Sequence, residues 1–149
     1  MKIANFLNKF SKDESLNNIV QKLCESAITI TKGIHNDDYE IEQTTKNIDG
    51  DTQKPLDLFS DRTLLNSLKI KDVAGYCSEE QEGLVSINED GKFVVVTDPL
   101  DGSSNIEANV SIGTIFSIFP TNGLKFQETI FQQGNKQACS GFFVYGPRT

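Results

Sequence analysis

Basic residues, and arginine above all, are scarce in this sequence. Its 149 residues include no tryptophan, one histidine and only two arginines, Arg62 and Arg148. With a net charge of -7, the chain has no surplus of lysine and arginine to neutralise phosphates, which disfavours nucleic acid and membranes as partners. A guanidinium cluster for a phosphate-ester substrate is missing as well. The surplus of carboxylates therefore predicts that a divalent cation would neutralise such a substrate.

Cysteines and long apolar runs are also few. Cys24, Cys77 and Cys139 are odd in number and widely spaced, which argues against a disulfide framework and against a structural zinc site. They are predicted to be reduced and semi-buried, since a free cysteine behaves mainly as a small hydrophobe. The first ten residues hold too short an apolar stretch for a signal peptide, and no run reaches transmembrane length. The expected location is the cytoplasm.

Helical patterns occupy the first part of the chain. Apolar residues recur at helical spacing over residues 14–31, which predicts an amphipathic helix that ends near Gly33. A second helix is predicted from Pro55, because proline in a first helical turn costs no hydrogen bond. The polar residues 34–53 between these helices predict a loop with a short strand around residues 39–41.

The rest of the chain has the pattern of strands. Apolar segments predict five of them, at residues 74–78, 84–87, 93–97, 112–119 and 141–145. The turn residues 88–91 predict a hairpin that joins 84–87 to 93–97. Helices followed by a largely antiparallel sheet predict an α+β layered architecture. Because no helix follows the last strand to cover the sheet, we expect a longer polypeptide or a partner chain to complete the fold.

The chemistry is concentrated in residues 98–105, Asp-Pro-Leu-Asp-Gly-Ser-Ser-Asn. A buried strand delivers Asp98 and Asp101 onto a tight turn, and two carboxylates brought together in this way require a compensating cation. Directly afterwards Gly102, Ser103 and Ser104 offer successive backbone N–H groups and two hydroxyls, a concavity suited to a phosphate. An ordinary acidic turn has a similar composition, so this segment alone leaves that alternative open.

Two further acidic groups adjoin apolar elements. Glu79 and Glu80 follow a predicted strand, and Asp57 and Asp61 lie one helical turn apart on the helix that begins at Pro55. Each pair alone is typical of a solvated loop or a solvated helix face. Three such groups in one chain favour a common site.

These residues resemble a known family. Residues 98–105 and their continuation through 110–116 closely resemble the active-site segment of the class I fructose-1,6-bisphosphatases, within the lithium-sensitive phosphatase superfamily. Four other segments match in the same order, at residues 56–60, 77–80, 133–137 and 144–146. The resemblance spans roughly residues 14–149 and is weakest over 34–53. It implies an α-β-α-β-α layered sandwich, in which residues 1–149 would form an N-terminal metal- and phosphate-binding domain that is incomplete at its C-terminus.

The resemblance also implies a cofactor and roles for individual residues. Mg²⁺, for which Mn²⁺ could substitute, would be held by four residues: Glu79, Asp98, Asp101 and the main-chain carbonyl of Leu100. Asp57 and Glu80 would orient or deprotonate the attacking water. The 1-phosphate of the substrate would be surrounded by four successive residues: Asp101, Gly102, Ser103 and Ser104.

The activity implied by the resemblance is Mg²⁺-dependent hydrolysis of fructose 1,6-bisphosphate to fructose 6-phosphate and phosphate, by a homo-oligomer that is tetrameric in the family. Such a reaction would serve gluconeogenesis or Calvin-type carbohydrate metabolism. One alternative is a sedoheptulose-1,7-bisphosphatase or an inositol-monophosphatase-like enzyme, although Ser103 and Ser104 favour the fructose enzyme over the inositol branch. A second alternative is a catalytically inactive fragment.

Overall fold

The computed structural model describes residues 3–36, 54–106, 108 and 110–146. Within them lie four helices, α1 (Ile3–Phe10), α2 (Glu14–Asn36), α3 (Pro55–Leu68) and the short α4 (Phe126–Thr129). The same residues form five strands, β1 (Val73–Ser78), β2 (Val85–Ser86), β3 (Phe93–Asp101), β4 (Ile112–Pro120) and β5 (Cys139–Gly146). The strand predicted around residues 39–41 lies outside the described residues. No helix in the described part of the chain is both long enough and apolar enough to cross a membrane.

Helix α2 continues past the glycine where the sequence predicted its end. It runs three residues beyond Gly33, and the ring of Phe59 on α3 lies against that glycine. A Cβ atom at position 33 would lie 2.5 Å from the Phe59 ring. The glycine therefore allows α2 and α3 to approach each other closely rather than ending the helix. The sequence did not predict α1.

The sheet has the strand order β2-β1-β3-β4-β5. Strands β1 and β3 are parallel, while the other three neighbouring pairs are antiparallel. The prediction of an α+β fold with a largely antiparallel sheet is confirmed.

The predicted hairpin between residues 84–87 and 93–97 is wrong. Strand β2 instead pairs with β1, with Tyr76 opposite Val85 and Gly75 opposite Ser86. A strand has two hydrogen-bonding edges, and those of β3 are taken by β1 and β4, so no edge remains for β2. The turn residue Asn88 is bonded across to β1 as well, because its amide donates to the carbonyl of Ala74.

Helices α2 and α3 cover one face of the sheet and enclose the core. The buried apolar side chains of this core come from both helices and from four strands, and include Leu23, Ile30, Leu64, Tyr76, Val95, Phe116 and Tyr145. On the opposite face, the Phe126 ring of α4 lies over Gly75 of β1. The part of this face formed by β4 and β5 exposes Ile115, Phe142 and Val144, at 45%, 72% and 63% of their surface. We call it the open face.

Gly91 provides a test of the packing between β1 and the turn before β3. A Cβ atom at this position would lie 2.2 Å from the amide nitrogen of Ala74 and 2.4 Å from the carbonyl carbon of Val73. Because both atoms belong to the backbone, Gly91→Ala should lower the free energy of unfolding by about 2 to 3 kcal/mol. Gly83→Ala is the matched control, since a Cβ there meets nothing within 4 Å. Urea denaturation should separate the two variants, and equal stabilities would contradict the close approach.

Candidate active site

Strand β3 carries Asp98 and Asp101 on either side of a β-bulge. Asp98 lies opposite Ile115 of β4, whereas Asp101 lies opposite Gly113, so β3 has one more residue than β4 over this interval. The backbone amide of Leu100 donates to Asp98 Oδ1 at 3.1 Å. A bulge of this kind redirects side chains at the end of a strand. The backbone thus turns sharply where the sequence placed two carboxylates.

The chain then enters the predicted phosphate turn. Gly102 adopts a left-handed conformation, with φ of 79°, that favours glycine, and a single turn of 3-10 helix follows at Ser103–Asn105. The amide of Asn105 donates to the carbonyl of Gly102 at 2.8 Å. Behind the turn, the Thr114 hydroxyl of β4 donates to the Pro99 carbonyl at 2.8 Å. The turn is therefore fixed both within itself and against β4.

Glu79 meets Asp98 because β1 and β3 are parallel, so that their carboxyl ends lie at the same edge of the sheet. The backbone amide of Glu79 donates to the carbonyl of Thr97 at 3.2 Å. Burial, followed by the neighbouring charge of Glu79 and a hydrogen bond from it, raises the pKa of Asp98 to about 7. Asp101 raises the same pKa by its charge. Glu79 and Asp98 are thus close enough for their side chains to interact directly.

This carboxylate pair fits a hard divalent cation in its chemistry. All the candidate donors are oxygens, and two carboxylates in contact oppose each other's ionisation until a positive charge compensates them. Asp98 is partly buried, while Glu79 and Asp101 are exposed. Within the described ranges, no three His, Cys, Asp or Glu side chains lie together as a ready metal cluster. The structure therefore brings Glu79 and Asp98 together, with Asp101 near them but not in a completed three-carboxylate cluster.

Asp57 stands at the first turn of α3 and is almost fully buried, with 4% of its surface exposed. Its Oδ2 accepts a hydrogen bond of 2.7 Å from the backbone amide of Lys54, while its Oδ1 has no hydrogen-bond partner. Burial raises the pKa of Asp57, and the Lys54 amide and the nearby Ser103 hydroxyl partly offset this. A buried carboxylate oxygen without a donor has an unused capacity to accept a proton.

The remaining predicted residues lie around this edge. Glu80 is half-buried, and its backbone amide donates to the Ser78 hydroxyl at 3.2 Å. Leu100 has a buried side chain within the bulge. Ser103 is half-buried and Ser104 is exposed.

Lys54 is a site residue that sequence reasoning missed. Its ammonium group donates to the carbonyl of Ser103 at 2.9 Å, which ties the start of α3 to the phosphate turn. This contact joins residues 49 apart, and no local spacing could have indicated it. It places a positive charge beside the predicted phosphate position.

A cleft of about 440 Å³ adjoins the carboxylate pair on the open face and is lined by Glu79, Asp98 and Ile115, among others. A larger cleft, of about 540 Å³, lies around Lys92, Lys125 and Phe126 and contains none of the predicted site residues. We assign the chemistry to the smaller cleft, because the paired carboxylates line it.

Comparisons with known proteins agree with this geometry. The family model described as "Fructose-1-6-bisphosphatase, N-terminal domain" matches residues 3–149. A class 1 fructose-1,6-bisphosphatase of Sinorhizobium medicae is 41% identical over 138 residues, covering 88% of this chain and 40% of that protein. One from Neisseria meningitidis serogroup A is 45% identical over 107 residues, covering 70% of this chain and 33% of that protein.

Two solved structures share the fold over 98% of this chain. The fructose-1,6-bisphosphatase of Leishmania major in holo form superposes with a TM-score of 0.84 at 25% identity, over 49% of its own length. A Toxoplasma gondii protein with a provisional assignment as a sedoheptulose-1,7 bisphosphatase superposes with a TM-score of 0.82 at 28% identity, over 47% of its length. The chain thus spans about 40% of the first curated relative and about half of these solved chains.

Proposed function

The chain belongs to the fructose-1,6-bisphosphatase family, and on that basis we propose that it is the N-terminal metal- and phosphate-binding domain of an enzyme that hydrolyses the 1-phosphate of fructose 1,6-bisphosphate. The products would be fructose 6-phosphate and phosphate. One observation carries the proposal: the Glu79 and Asp98 carboxylates meet at the sheet edge from which the phosphate turn of residues 102–105 begins.

The proposed metal ligands are oxygens of the β1 and β3 ends. Glu79, Asp98, Asp101 and the carbonyl of Leu100 would hold Mg²⁺, or Mn²⁺ in its place. Such an ion, when bound, lowers the pKa of a coordinated water and stabilises negative charge on the attacking and leaving oxygens. The contact between Glu79 and Asp98 supports this assignment, because the repulsion within the pair favours a cation over two free carboxylates.

Asp57 is the proposed acceptor of the proton from the attacking water, and Glu80 would help to orient that water. The Oδ1 atom of Asp57 supports this role because it is buried without a hydrogen-bond partner. As the water oxygen forms its bond to phosphorus, the bond from phosphorus to the sugar's C1 oxygen breaks. Asp57 takes the proton of the water, and the leaving oxygen receives one from solvent.

The transferred phosphate would lie on residues 101–104. The left-handed Gly102 and the following 3-10 turn present successive backbone N–H groups, and the hydroxyls of Ser103 and Ser104 add further donors. The Lys54 ammonium, held at the Ser103 carbonyl, adds positive charge at this turn. That charge is valuable in a chain with only two arginines.

Hydrolysis of sedoheptulose 1,7-bisphosphate is a second candidate function. The similarity to the Toxoplasma gondii structure, at 28% identity over 98% of this chain, supports this second function. Both sugars carry a 1-phosphate on a ketose, which the turn of residues 101–104 would bind in the same way. Discrimination between them would require contacts with the far end of the sugar.

Three further features complete the proposal. The protein would act as a homo-oligomer, tetrameric by family resemblance, and would work in the cytoplasm. The open face formed by β4 and β5 would be covered by further polypeptide or by a partner chain. The exposed side chains of Ile115, Phe142 and Val144 support this part of the proposal, because contact between a contiguous apolar patch and water is unfavourable.

A phosphate-release assay tests the proposal on the polypeptide that carries this sequence. We expect hydrolysis of fructose 1,6-bisphosphate with Mg²⁺ or Mn²⁺, inhibition by Li⁺, and much slower release from inositol 1-phosphate. Parallel assays with sedoheptulose 1,7-bisphosphate decide between the two sugars. An inactive polypeptide that still binds metal would favour the non-catalytic alternative.

His35 offers a test of the chemistry within the same assay. It is exposed on the last turn of α2, and its ring nitrogen Nδ1 contacts the Thr31 carbonyl of the same helix at 2.7 Å. His35→Gln should leave the rate of phosphate release within about twofold, because a mechanism based on carboxylates and a metal ion does not use a histidine. Loss of activity in a folded His35→Gln protein would refute the carboxylate mechanism.

A further inference from the structure

A buried group of hydrogen-bonded side chains lies beneath the candidate active site without belonging to it. We call it the Asp61 network, and its members are Asp61, Tyr76, Gln81 and Thr97. Asp61 on α3 is 1% exposed and Tyr76 on β1 is fully buried. The Tyr76 hydroxyl donates to Asp61 Oδ1 at 2.9 Å and accepts from the Thr97 hydroxyl at 2.8 Å. The amide of Gln81 donates to the other oxygen, Asp61 Oδ2.

Both ends of the network lie close in sequence to a proposed metal ligand, at Thr97 beside Asp98 and at Gln81 two residues after Glu79. Thr97 precedes Asp98 on β3, and its carbonyl accepts the backbone amide of Glu79. Gln81 follows Glu79 and Glu80 in the loop after β1, and its own backbone amide donates to the Ser78 carbonyl at 3.2 Å. The Gln81 side chain therefore ties this loop to α3, across 20 residues of sequence.

Burial of the Asp61 carboxylate costs free energy, which favours a function for the network beyond packing. A buried carboxylate needs several donors to offset its lost hydration, and an apolar side chain at position 61 would avoid that cost. Asp61 accepts from Tyr76 on β1 and from Gln81 in the loop that follows β1 and carries Glu79. Through the Tyr76 hydroxyl it is also linked to Thr97, the residue before Asp98 on β3. Mutation of residues that hold metal ligands in place in this way typically weakens metal binding strongly.

We propose that Asp61, Tyr76 and Gln81 are positioning residues that hold the loop of Glu79 and Glu80 at the distance from Asp98 that a divalent cation requires. This inference rests on the proposed metal site. It assigns to the three residues no contact with substrate or with the reacting atoms. Their effect is to supply the carboxylate pair already assembled, so that the cation does not have to organise the loop.

The experiment measures the Kd for Mn²⁺ of the polypeptide that carries this sequence, from the electron paramagnetic resonance signal of free Mn²⁺. Gln81→Met removes the donor at nearly constant volume, and Tyr76→Phe removes the hydroxyl. Each should raise the Kd about 10- to 100-fold. Gln127→Met is the matched control, since Gln127 is exposed and lies at the larger, unrelated cleft.

Position 61 separates positioning by hydrogen bonds from an effect of charge. In Asp61→Asn the amide oxygen can still accept from Tyr76, and its NH₂ group can donate to Gln81 once the Gln81 amide turns over. We expect a Kd within about threefold of the parent for Asp61→Asn and a rise of about 10- to 100-fold for Asp61→Leu. If Asp61→Leu fails to fold, Gln81→Met still decides the question, because its side chain lies in a half-buried loop.

A merely structural role predicts a different result. Gln81→Met and Tyr76→Phe would then lower the free energy of unfolding while the folded protein kept its Kd for Mn²⁺ within threefold, and this outcome would overturn the inference. Asp98→Asn distinguishes that failure from failure of the proposed function, because it should abolish Mn²⁺ binding whether or not the network acts. A parent protein that binds no Mn²⁺ would overturn both.

Discussion

Replacement of Asp98 or Asp101 by asparagine should reduce the turnover of fructose 1,6-bisphosphate about a thousandfold or more. Asparagine has nearly the same volume but lacks the charge, so each variant removes a proposed metal ligand without creating a cavity. Asp98 should have the larger effect, because it is partly buried and in contact with Glu79, whereas Asp101 is exposed. The fold should survive, since the bulge that carries both residues is held by the pairing of β3 with β4 and by the hydrogen bond from the Thr114 hydroxyl to the Pro99 carbonyl.

The measurement is steady-state phosphate release with Mg²⁺ at saturating substrate, together with circular dichroism of each variant. Asp90→Asn is the matched control: it removes one carboxylate from an exposed turn that lines the unrelated cleft. It should retain the parent activity within about twofold, as expected for a surface substitution away from such a site. Activity within tenfold of the parent in Asp98→Asn or Asp101→Asn would refute the assignment of the ligands.

Asp57→Asn should lower turnover by about a hundredfold to ten-thousandfold, the range expected when a general base is removed. An amide cannot accept the proton of the attacking water, although it can still accept the backbone hydrogen bond from Lys54. The variant should keep its Kd for Mn²⁺ within about threefold, because Asp57 is not among the proposed ligands. The combination of lost turnover and retained metal binding separates this residue from Asp98.

Asp13→Asn is the control for Asp57, since it also places an amide at the start of a helix. Asp13 accepts the backbone amide of Leu16 at 3.1 Å, lies on the exposed surface and is remote in sequence from the site residues. It should leave turnover and Mn²⁺ affinity unchanged. If Asp57→Asn lost Mn²⁺ binding as completely as Asp98→Asn does, Asp57 would join the ligand set and would no longer be the proposed base.

The position of the carboxylates could be predicted because it depends on local pattern. Glu79 directly follows β1, and Asp98 directly follows the apolar part of β3, whichever neighbours those strands have. The predicted partner of β2 was wrong, yet Glu79 and Asp98 still meet, because β1 and β3 are parallel and the last residue of β1 pairs with Thr97. The error in the pairing of β2 therefore did not separate Glu79 from Asp98.

Contacts between distant segments could not be predicted in the same way. Asp57 and Asp61 have the spacing of a solvated helix face, yet both are buried, because α3 packs its acidic side toward the sheet. Helical periodicity shows which residues share a face, but it cannot show that Tyr76 and Gln81 supply the donors that make burial of Asp61 tolerable. The contact from Lys54 to Ser103 depends in the same way on the folded arrangement.

The open face also has a consequence for the strength of the electrostatics at the site. Asp98 and Ile115 lie opposite each other on β3 and β4, and both line the cleft on that face. While water fills this cleft, its high dielectric constant weakens every interaction between the carboxylates, a cation and a phosphate. Two unit charges 4 Å apart interact by only about 1 kcal/mol in water, but by about 4 kcal/mol at the effective dielectric constant near a protein surface. A protein layer over Ile115, Phe142 and Val144 would therefore do more than shield apolar surface: by displacing water, it would set how strongly the same carboxylates attract the metal ion.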